Sequence, residues 1–149
     1  MPRRSWLPSA ILLTAGIVIL LGGLAAVSIG LVNPALISAQ LPPEAEIDAP
    51  AVGGAAVALG VATAVLGLTH LVTGAALRRG VSGAATAAVV LASTMAVLSL
   101  GFAVAAVVSI ASGAAPAVQM VPASVGLGAA MIGYAIVTVI VIGARTERI

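Results

Sequence analysis

His70 is the only histidine in this 149-residue chain, and it falls within a long apolar stretch. Tyr134, in a later stretch, is the only other ionisable side chain inside such a run. An ionisable group at membrane depth is a functional hypothesis by default, because placing it there is costly. A proton contact, a quinone or other lipophilic ligand, and a haem iron are the chemistries open to a lone imidazole. A single histidine supplies at most one axial haem ligand, so the second would have to come from Met or another subunit. The structural alternative is a neutral ring hydrogen-bonded to a Thr, a Ser or a backbone carbonyl.

Counting from the basic residues gives depths. His70 lies eight residues before Arg78, Thr14 eight after Trp6, Thr86 seven after Arg79, and Thr138 seven before Arg145. At 1.5 Å per helical residue all four fall roughly 10–12 Å from one boundary. Together with Tyr134 one turn further on, they are the candidate ligand-binding set: His70, Thr14, Thr86, Tyr134 and Thr138. The competing expectation is that each Thr bonds the carbonyl four residues back in its own helix.

Three of the four acids, Glu44, Glu46 and Asp48, alternate along one polar segment. In an extended strand they would share a side, and a hard cation such as Ca²⁺ takes several oxygens. The glycine turn and ligand spacing of a known calcium loop are missing, so a solvated acidic loop is the expectation and no metal site is assigned. The absence of cysteine removes thiolate, disulfide and cysteine–metal chemistry. The sequence carries neither paired intramembrane carboxylates, nor a phosphate-binding glycine loop, nor a nucleophile motif. A non-enzyme without cofactors is expected.

The elements that must hold these residues are helices. The chain is 62% hydrophobic and 7% charged, against about 25% charged in soluble domains. Four runs of membrane-spanning length cover approximately residues 7–32, 52–77, 81–110 and 122–144. The first begins like a signal peptide, with Arg3-Arg4 before it, and loosely matches a twin-arginine signal. It exceeds a 7–15-residue signal core and reads instead as an uncleaved anchor. Residues 33–50 hold Pro34, Pro42, Pro43 and Pro50 and are expected to be extended or turning rather than helical. Residues 112–121 are expected to form a second, uncharged outer connection.

All six basic residues are arginines, at Arg3, Arg4, Arg78, Arg79, Arg145 and Arg148. Basic residues are retained in short cytoplasmic segments, which predicts both termini and the Arg78–Arg79 hairpin on the inner side. The expected fold is an all-α integral membrane protein: one domain, a four-transmembrane-helix bundle, N-in and C-in, with a short inner hairpin and a Pro-rich acidic outer loop.

Small residues recur at four-residue spacing, a pattern that lets membrane helices approach closely. The stripes are Gly22, Ala26 and Gly30; Ala56, Gly60 and Ala64; and Ala84, Ala88, Ala92 and Ala96. Further stripes are Gly101, Ala105, Ser109 and Gly113, then Ser124 with Gly128, and Ala129 with Gly133. Alanine and glycine make up about a third of the chain, so such spacing also arises by chance. That composition, with no lysine, points to a GC-rich bacterial genome and hence a bacterial cytoplasmic membrane. The partners expected are the lipid bilayer and other membrane subunits, or a second copy of the chain. Nucleic acid is not expected, because the arginines are dispersed. Sparse chemistry in so short a chain points to a non-catalytic accessory subunit. The alternative is a small conduit or lipophilic-ligand protein with His70 as its polar contact.

Overall fold

Long runs of Ala, Leu, Val and Ile without internal charge satisfy every backbone group within the segment when they coil into helices. The computed structural model, which describes residues 6–38, 48–113 and 117–146, is all-helical over those residues apart from short connections. Its elements are α1 (Trp6–Val32), α2 (Ala35–Ser38), α3 (Ala49–Arg79), α4 (Ala84–Ala111) and α5 (Ala117–Thr146). Four of these are long and apolar enough to span a membrane: Trp6–Val32, Ala49–Arg79, Ala84–Ala111 and, within α5, Ser124–Ala144. Several Thr and Ser side chains on them return to their own helix. Ser28 donates to the Leu24 carbonyl at 2.9 Å, Thr63 to Leu59 at 2.8 Å and Thr69 to Val65 at 2.9 Å. Such back-bonding removes the desolvation cost of a hydroxyl in apolar surroundings.

Two connections differ from the sequence expectation. Within 33–50, Pro34 ends α1 but is followed at once by the single turn of α2. The residue before a proline avoids the helical region, whereas proline itself suits the start of a helix. The same segment gives up its end to α3, which starts at Ala49 rather than near 52. Asp48 is the reason. Its Oδ1 accepts from the Ala51 N–H at 3.1 Å and its carbonyl accepts from the Val52 N–H at 3.1 Å, so it caps the helix. Pro50 in the first turn loses no bond, since its N–H would have had no intrahelical partner. Glu44 and Glu46 lie outside the described residues. The second correction is in 112–121, where α5 already begins at Ala117 and carries Pro122 inside it. That proline forfeits one bond to the Val118 carbonyl, a loss confined to the helix start.

The turn between α3 and α4 is closed by the backbone. The Gly80 N–H donates to the Leu77 carbonyl at 3.2 Å and the Val81 N–H to the Ala76 carbonyl at 3.0 Å. This is the paired-bond helix ending that requires a left-handed residue, and Gly80 has φ 69°. Gly83, at φ 79°, then opens α4, its carbonyl accepting from the Thr86 and Ala87 N–H groups.

The chain divides into two compact units. One, Leu12–Val72, is built on α1 against α3. Its seam is a ladder of glycines seven residues apart: Gly16, Gly23 and Gly30 on α1 and Gly53, Gly60 and Gly67 on α3. A Cβ built on Gly23 would lie 2.6 Å from the Gly60 oxygen, and one on Gly60 would lie 2.7 Å from the Gly23 oxygen. The corresponding distances are 2.9 Å both ways for Gly16 and Gly67, and 2.8 Å both ways for Gly30 and Gly53. Each pair is antiparallel and reciprocal, an arrangement that suits Cα–H···O contacts. The stripe expected on Ala56, Gly60 and Ala64 does line this seam, as does Gly30. Gly22 does not, and a Cβ there would meet nothing within 4 Å. A step of four advances about 40° around a helix, while a step of seven drifts only about 20°, so the seven-residue series holds one face across the whole span.

The other unit joins Met1–Ile11 to Thr73–Ile149. In it α4 packs along α5. Ala84, Ala88 and Ala92 are buried on α4, and Tyr134, Val137 and Val141 are buried on α5. The second small-residue stripe differs: Gly101 and Ala105 on α4 are exposed, and so is Gly113, which lies past the end of the helix.

Candidate functional site

His70 sits on the part of α3 that belongs to the Leu12–Val72 unit, and its side chain is fully buried, at 0% exposure. The ring is held by its own helix: Nδ1 lies 2.8 Å from the Leu66 carbonyl, one turn back. A carbonyl oxygen only accepts, so Nδ1 carries the proton. In the neutral ring Nε2 is then the lone-pair nitrogen. The ring is thus oriented by its own helix, and among the described residues no buried side-chain nitrogen or oxygen lacks a partner. Thr14, on α1 of the same unit, is exposed.

The remaining members of the set belong to the other unit. Tyr134 on α5 is buried, and Thr138, one turn later, donates to the Tyr134 carbonyl at 3.0 Å. The Thr138 hydroxyl also lies 3.5 Å from the hydroxyl of Ser93 on α4, a long contact joining the two helices. Thr86 lies in the first turn of α4 and is exposed. Tyr134 and Thr138 are thus neighbours, with Ser93 as a partner that depth counting from Arg79 passed over.

The signal for Ser93 lies in where the helices end. Residues 80–83 form the turn and add no depth, so α4 must be counted from Ala84 and α5 from Thr146. Ser93 is then nine residues inside α4 and Thr138 eight residues inside α5, while Thr86 is only two residues in. Asp48, read in sequence as one of three acidic loop residues, is bound into the start of α3. An Asp two residues ahead of a proline was the signal for that cap. Comparison with protein-family models, curated proteins and solved structures finds no match for this chain.

Proposed function

We propose that this chain is a multi-pass protein of a bacterial cytoplasmic membrane, with both termini and the Arg78–Arg79 hairpin inside. In this reading it serves as a non-catalytic accessory subunit that assembles with partner membrane proteins. The observation that carries the reading is the outward surface of α4. Only 6% of its most apolar eighteen-residue stretch is buried, against 22% for α3. Leu98, Leu100, Phe102, Val104, Val107 and Val108 all stand exposed. Water is a poor solvent for such a surface, and lipid or a neighbouring helix is a good one. The hydroxyls that bond their own helix carbonyls support a packing role over a chemical one.

Two experiments test this reading. The chain has no cysteine, so Ser82→Cys and Asn33→Cys report sidedness without background. Ser82→Cys should react with a membrane-impermeant maleimide only in inverted vesicles, and Asn33→Cys only from outside; the reverse pattern overturns the topology. Purification in mild detergent should bring down a stoichiometric membrane partner, and a stable lone monomer argues against the subunit role.

A further inference from the structure

We infer that the Arg78–Arg79 hairpin binds the phosphate of anionic phospholipid headgroups; the inference rests on the membrane reading above. Both arginines are exposed in the last turn of α3. They are presented by a turn whose backbone is anchored at Leu77 and Ala76 on one side and by the Gly83 cap of α4 on the other. Consecutive residues on a helix point about 100° apart, so the two guanidinium groups reach separate positions around the helix end. Each offers a planar fork of donors that matches two phosphate oxygens.

Competition from carboxylates is absent at this end among the described residues. The one described acid, Asp48, precedes the opposite end of α3 and is engaged with the Ala51 N–H. The surroundings suit a lipid rather than free phosphate. Val81 in the hairpin and Val90 on α4 are exposed at 53% and 61%, which gives acyl chains an apolar surface beside the charged turn. In the same unit Trp6, the first residue of α1, is 62% exposed. Indole rings settle at headgroup level, and arginine stems lie along apolar surface while their heads stay in the polar layer. A zwitterionic headgroup brings its own cation and offsets the attraction, whereas an anionic one does not. Each arginine near an anionic surface contributes about a fivefold preference.

The test reconstitutes the full chain in vesicles of equal parts phosphatidylglycerol and phosphatidylcholine, releases it in mild detergent, and identifies retained lipid by native mass spectrometry. The wild type should retain phosphatidylglycerol over phosphatidylcholine. In the Arg78→Gln/Arg79→Gln double variant that preference should fall by an order of magnitude or more. A variant with unchanged helical circular dichroism and undiminished phosphatidylglycerol retention overturns the inference. A second arm that does not depend on insertion of the variant reconstitutes the wild type at low and at 1 M salt. Screening should lower its phosphatidylglycerol preference, and a salt-independent preference overturns the inference. Inorganic phosphate at the same ionic strength should displace no more lipid than chloride does; stronger displacement overturns the lipid as the occupant. Carbonate extraction is run in parallel. Protein released by carbonate refutes the membrane reading itself, a result distinct from loss of lipid preference in protein that stays embedded.

Discussion

Gly23 on α1 and Gly60 on α3 meet backbone to backbone, each placed so that a Cβ would stand within 2.6–2.7 Å of the other's carbonyl oxygen. The neighbour at Gly23 is also backbone, the Ala64 nitrogen at 2.5 Å, so no side-chain rotation relieves a substitution. Gly23→Val should therefore push the two helices apart, at a cost of about 1–3 kcal/mol or more from overpacking. Gly22→Ala is the control. Nothing lies within 4 Å of its Cβ, and replacing a mid-helix glycine there should stabilise by up to about 1 kcal/mol. Thermal unfolding in detergent separates the two, and equal melting temperatures would remove the glycine ladder as the source of the α1–α3 packing.

Gly80→Ala tests the hairpin. Space is open around Gly80, yet its φ of 69° is unfavourable for a residue with a Cβ. The expected loss is about 1–2 kcal/mol, entirely from the backbone. Gly101→Ala, equally open but inside α4 and without a positive φ, should not share it. A Gly80→Ala protein that melts with the wild type would mean the turn is not held as described.

The Asp48 cap gives a third outcome. Asp48→Ala should cost about 1 kcal/mol, and Asp48→Asn or Asp48→Ser should recover most of it, because each side chain still offers an oxygen to the Ala51 N–H. Amide exchange at the first turn of α3 is the direct readout. An Asp48→Asn variant as labile as Asp48→Ala would assign the effect to charge instead of capping.

His70→Ala empties a fully enclosed volume and breaks the Leu66 contact, which should cost about 2–4 kcal/mol by the measure of other buried large-to-small changes. His70→Asn, which can still donate one turn back, should retain part of that. A wild-type melting temperature for His70→Ala would mean that the ring is not packed as found.

Much of the fold was legible because it follows from composition along the chain. The four apolar runs appear as helices with ends within a few residues of those expected, since apolar length and arginine placement are local properties. The shortfalls were at capped ends. Asp48 and the turn glycines act through specific backbone hydrogen bonds, and a hydropathy profile does not register them. Read as a plain acid, Asp48 looked like part of a loop. Counting from arginines instead of helix ends puts Thr86 level with Thr138 and misses Ser93.

The sequence by itself determined that this protein is helical and apolar over four long segments, where its arginines and acids fall, and that His70 is its one imidazole. Only the tertiary structure decided which small residues touch. Four-residue stripes occur throughout so alanine-rich a chain, but backbone contact selects the seven-residue series of Gly16, Gly23 and Gly30 against Gly53, Gly60 and Gly67. It likewise decided that His70 is enclosed with its Nδ1 against the Leu66 carbonyl and that Thr138 lies beside Ser93. Periodicity is written in one helix at a time, whereas register between two helices exists only once both are packed.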